Sequence, residues 1–101
     1  MQLIMVTAVK ESAEDITRIF RSSGIEAYST TDIAGFRKHP ELHHTDEWFG
    51  TGDPAFDSVL FFSFTAPAAA EKALQQIREW NNTNTAGFPI RAFLLPVTQS
   101  I

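Results

Sequence analysis

The sequence predicts an α+β domain, one antiparallel sheet carrying two helices on one of its faces, and three observations predict it. The chain has 101 residues, the length of one domain. Apolar residues make up 44% and charged residues 20%, close to the norm for globular chains. Along the chain the apolar period switches between two and three-to-four in the order strand, helix, strand, strand, helix, strand.

The first strand is the β-branched and apolar run from Leu3 to Val9. Beyond Lys10 the period becomes helical. Ser12 and Asp15 form an aspartate version of the capping box, Ala13, Ile16, Ile19 and Phe20 recur on one face, and Gly24 is placed to end the helix. Ile25 to Thr30 reads as the second strand, extending toward Ile33. Between Gly35 and Asp57 no period holds and Gly, Pro, His, Asp and Thr dominate, the mark of a long functional loop. Val59 to Phe64 is the third strand. Pro67 then sits where the first turn of a helix tolerates it, and Ala70, Ala73, Leu74, Ile77 and Trp80 follow at spacings of three and four. Glu71, Lys72, Gln75 and Arg78 take the outward side. Asn81 to Pro89 is turn-rich, and Ile90 to Val97 is the last strand. This β-α-β-β-α-β order over residues 1–101 is the ferredoxin-like split βαβ arrangement, with its long loop between strands two and three.

Composition narrows the function. Eight basic residues against twelve acidic ones give a net charge of −4, which speaks against nucleic acid and anionic membrane surfaces as partners. With no cysteine there are no disulfides, thiolate zinc sites or cysteine nucleophiles. No apolar run is long enough for direct membrane insertion, and Met1-Gln2-Leu3-Ile4 lacks the basic region of a signal peptide, so the expected location is cytoplasmic.

The strands carry a second message. A sheet with one wet face should alternate apolar and polar residues, and these strands do not. Leu3, Met5 and Val9 oppose Ile4, Val6 and Ala8; Leu60, Phe62 and Phe64 oppose Val59 and Phe61; Phe93, Leu95 and Val97 oppose Ile90, Ala92 and Leu94. The resulting patch, on the order of several hundred Å², exceeds what monomers usually expose. A homo-oligomer with its sheets packed inward follows; the competing reading folds the long loop over its own sheet.

All three histidines lie in the loop, and His39, His43 and His44 with Asp46 nearby form a candidate site for a divalent metal. Pro40 works against a helical spacing there, and a solvated or partner-contacting loop is the other reading. Trp48 and Phe49 at the loop's centre are candidate partner anchors, or else tuck back onto the sheet or a neighbouring subunit. No serine–histidine–aspartate ordering, nucleophile elbow or P-loop is present, which points away from an enzyme. Tyr28 reads as core or interface.

Asp32-Ile33-Ala34-Gly35-Phe36-Arg37-Lys38, the Glu41-Leu42 pair and the ending Ile90-Arg91-Ala92-Phe93-Leu94-Leu95-Pro96-Val97 resemble the P-II signal-transduction superfamily. The resemblance implies a cytoplasmic trimer with its sheets around a central axis. It also implies effector sites in the clefts between subunits, and a long loop docking onto an enzyme or a membrane transporter. On that basis Gly35, Phe36, Arg37, Lys38, Gly87 and Arg91 are the candidate effector-binding residues. Where members with nucleotide sites carry a glycine-rich loop ending in Gly-Lys, this chain has Thr83-Asn84-Thr85-Ala86-Gly87-Phe88-Pro89. Only Gly87 fits, and Phe88-Pro89 lacks both the lysine and one backbone N–H donor. Ordinary ATP sensing is thereby disfavoured, while an adenine-nucleotide site of altered form stays open.

The sequence thus predicts a P-II-like sensor or adaptor that binds a small-molecule or ion effector and controls a protein partner through residues 35–57. A metal-binding or metal-tolerance protein of the same fold is the second reading. A small dimeric α+β-barrel enzyme, with His39, His43 or His44 as acid-base and Trp48 lining a pocket, is the third.

Overall fold

A computed structural model describes residues 1–36, 55–85 and 87–101. The chain runs β1 (Gln2–Val9), a 3-10 turn (Lys10–Ser12), α1 (Ala13–Ser23), β2 (Ser29–Phe36), β3 (Ala55–Thr65), α2 (Pro67–Thr83) and β4 (Arg91–Pro96). The strands form one sheet in the order β2-β3-β1-β4, every neighbouring pair antiparallel. This is the predicted ferredoxin-like fold.

The core follows from the two periods. Ile4, Val6 and Ala8 of β1 and Val59 and Phe61 of β3 project from one face of the sheet and are buried. Against them lie Ile16, Ile19 and Phe20 of α1 and Ala73 and Ile77 of α2, with Ile25 and Ile90 completing the cluster. Phe20 is fully buried and meets Phe61 and Tyr28 edge-on, at ring-centroid distances of 5.7 and 5.3 Å. Tyr28 in turn stacks on Phe61 at 5.5 Å.

Helix termini match the expectation at one end of α1 and not at the other. Gly24 adopts φ 89°, its N–H donates to the Arg21 carbonyl, and the Ile25 N–H donates to the Phe20 carbonyl. That pair of bonds is a Schellman motif, with Ile25 buried as its hydrophobic contact. Left-handed backbone penalises any Cβ, so Gly24→Ala is expected to lower unfolding stability by about 1 kcal/mol, read from urea midpoints. At the N-terminus Ser12 makes no side-chain cap hydrogen bond, correcting the capping-box expectation. The 3-10 turn through Lys10–Ser12 leads into the helix instead, and Ser12 is buried.

Several boundaries also differ from expectation. The second strand is Ser29–Phe36 rather than beginning at Ile25, because Ile25 closes α1 and Tyr28 packs on the aromatic core. Helix α2 continues past Trp80 to Thr83, through asparagines whose composition suggests a turn. Asn81 is retained there because its amide clamps Ile90, the residue before β4, which begins at Arg91 rather than at Ile90 as expected: Nδ2 donates to the Ile90 carbonyl and Oδ1 accepts from the Ile90 N–H, each at 2.9 Å. The last correction concerns the long loop. Gly35 pairs with Phe56 and Phe36 with Ala55, so residues 35, 36 and 55–57 belong to paired strands rather than to the loop.

Candidate functional site

The face of the sheet opposite the helices is built from rows of side chains, one from each strand, that the antiparallel register places side by side. Phe62, Met5 and Phe93 form one row, and Phe64, Leu3 and Leu95 the next. Phe64, Phe93 and Leu95 are 58%, 56% and 41% exposed, so this half of the face is apolar and open.

Toward the other end the chemistry changes. Thr31, Leu60, Thr7 and Arg91 make up the following row, and Ile33, Ser58 and Val9 the one after it. Beyond Val9 only β2 and β3 continue, as a two-stranded ribbon through Gly35 and Phe36. The connection from α2 to β4 returns beside it, carrying Phe88 and Pro89. Between them lies a groove of about 230 Å³ lined by Thr7, Ala8, Val9, Ile33, Gly35, Phe36, Ser58, Phe88, Pro89 and Arg91.

Its electrostatics are simple. Arg91 is the one charged side chain among the described lining residues, and it is exposed. The ion pairs among the described residues join Lys10 to Asp32 and Arg18 to Asp15, and Arg91 is in neither. Lys10 donates to Asp32 Oδ2 at 3.0 Å, tying the 3-10 turn to β2 behind the groove. That hydrogen bond and the Asp32 charge raise the Lys10 pKa above its usual 10.5. Its small stabilisation is present at neutral pH and is lost only as pH rises through the raised value; both side chains are more than half exposed.

Three of the six candidate effector residues, Gly35, Phe36 and Arg91, line this groove, although Phe36 and Arg91 stand on strands far apart in the chain. Gly87 immediately precedes the groove-lining Phe88 but is not among the described lining residues. Arg37, Lys38, the metal candidates His39, His43, His44 and Asp46, and the partner candidates Trp48 and Phe49 lie outside the described residues. Among the described residues no group of three or more His, Asp or Glu could hold a metal ion. No helix among them is long and apolar enough to cross a membrane.

Sequence reasoning missed Thr7, Ser58 and the wall made by Phe88 and Pro89. Thr7 did leave a signal, as the polar member of the Leu3, Met5, Thr7, Val9 face. In the sequence Phe88-Pro89 stands out for the lysine it lacks, whereas the fold uses it as apolar lining.

No sequence-family model matches the chain, and no curated protein matches it. Solved structures do. A P-II-like signalling protein of Thermus thermophilus superposes with a TM-score of 0.64 over 93% of this chain and 83% of its own, at 14% identity. The chain has the P-II-like fold. A DUF3240 family protein from Shewanella baltica is similar too, with a TM-score of 0.66 over 98% of this chain and 91% of its own, at 17% identity. The fold that the sequence resemblance implied is therefore the observed one, over nearly the whole chain.

Proposed function

We propose that this protein is a divergent P-II-like regulator, a cytoplasmic homotrimer that binds a small effector at its subunit clefts and controls a partner through the segment between β2 and β3. The observation that carries the reading is the groove: the base of that segment, Gly35 and Phe36, and the first residue of the last strand, Arg91, meet at one end of the open sheet face. An effector seated there touches the root of the segment directly, so its binding energy can bias the segment's conformation. The groove's volume, about 230 Å³, is below the ~300–1,000 Å³ of most ligand pockets, which suits a site completed by a second subunit. The apolar rows of the same face supply the surface for that subunit.

The partner class, a membrane transporter, follows from the P-II resemblance. The role assigned to the chain is regulatory rather than catalytic.

Sedimentation of dilute protein tests the assembly, and a thermal-shift screen of nucleotides and divalent cations on the same sample tests the effector. A particle of three times the 11.3 kDa chain mass, stabilised by one of these ligands, is expected. A dimer would favour the α+β-barrel enzyme, and a folded monomer would remove the clefts on which the reading depends.

A further inference from the structure

We propose that the groove takes a compact monoanion with a flat apolar body, the chemistry of an aryl carboxylate, in preference to a polyphosphate; this rests on the groove being the effector site.

Charge is the first argument. Arg91 and Thr7 are register partners on neighbouring strands, facing the same side of the sheet. Directly opposed side chains in an antiparallel pair start from Cβ atoms roughly 4.5–5.5 Å apart. A guanidinium and a hydroxyl so placed can together meet one carboxylate, the guanidinium offering its planar fork and the hydroxyl a further donor. The one guanidinium of the described lining matches the single negative charge of a carboxylate.

The backbone is the second argument. Phosphate cradles rely on consecutive N–H donors, and Pro89, on the wall where such donors would be useful, has none. The remaining lining is the third. Val9, Ile33, Phe36, Phe88 and Pro89 surround the polar pair with apolar surface, and Phe36 is 71% exposed and Phe88 37%. Exposed rings beside Arg91 suit a planar apolar body that stacks on them while its acid group reaches the guanidinium.

Calorimetry on the full chain at pH 7 tests this with four probes: 2-naphthoate, its neutral amide, inorganic tripolyphosphate and ATP. Saturable binding of 2-naphthoate is expected, with the amide at least tenfold weaker and both polyphosphates weaker still. Arg91→Ala should weaken naphthoate at least tenfold, since a hydrogen bond to a charged group contributes on the order of a tenfold or greater factor in affinity. Thr7→Val, close in shape, should cost a few-fold. Unchanged urea midpoints show that both variants still fold.

No naphthoate binding by folded wild-type protein, or tighter binding of tripolyphosphate, would overturn the proposal. So would naphthoate binding that survives Arg91→Ala, which would mark adsorption to the apolar rows. A monomer that binds naphthoate through Arg91 would uphold the ligand class and remove the shared-cleft reading. A trimer that binds none of the carboxylate would do the reverse.

Discussion

Phe93→Asp is expected to turn the protein into a folded monomer sedimenting at 11.3 kDa. Phe93 stands in the row with Met5 and Phe62, flanked by the row of Phe64, Leu3 and Leu95, in the apolar half of the open face. Within one chain it is 56% exposed, so a polar replacement removes little from the core of that chain. In an assembly whose sheets pack together, each copy loses the burial of a phenylalanine, about 1.5–3 kcal/mol. Each copy also places a carboxylate in an apolar interface, at a further cost of several kcal/mol unless it is protonated or paired. Multiplied over the subunits of an oligomer, that is enough to dissociate it at micromolar concentration. Glu71→Ala, on the solvent side of α2, is the control and should leave the mass unchanged. A Phe93→Asp protein that keeps the wild-type oligomeric mass would show that this face is not the interface.

The second large effect is expected inside the chain. Phe20→Ala should destabilise the fold by about 3–5 kcal/mol, measured by urea denaturation of the variant against wild type. Phe20 is fully buried and joins α1 to the sheet through Phe61 and to the approach to β2 through Tyr28. Truncation leaves a cavity where three rings met, and nothing in the rigid sheet can collapse to fill it. Small domains have about 5–15 kcal/mol in total, so the variant should be partly unfolded at physiological temperature. A loss below about 1 kcal/mol would mean that the aromatic cluster is not the keystone its burial indicates.

The two experiments probe opposite faces of one sheet, and the difference between those faces is visible in the sequence. Leu3, Met5 and Val9 against Ile4, Val6 and Ala8 is a pattern that period two alone reveals, and the structure buries the second set under both helices. Gly24 and Pro67 are equally legible, because each satisfies a local backbone requirement that few other residues meet. Boundaries are less so. Ile25 has the composition of a strand, but the Schellman closure of α1 claims it, and the strand begins only at Ser29. Asn81 has the composition of a turn, but its two bonds to Ile90 keep it helical. In each case a tertiary partner outweighs local propensity.

The site shows the same division. Gly35, Phe36 and Arg91 can be chosen from sequence as candidates, because their residue types and flanking motifs resemble those of P-II proteins. Thr7, Ser58 and Phe88 cannot be joined to them in that way, since only strand pairing places β1, β3 and the α2–β4 connection around one groove.

Element order, the face each strand residue takes and a sheet apolar on both sides can all be read along the chain, because they depend on periods of two and about 3.6 that act within a few residues. Which end of that sheet is polar emerges only when the strands pair. Cross-strand register sets Thr7 beside Arg91 and the aromatic rows beside one another, and register arises from hydrogen bonds between segments far apart in the chain.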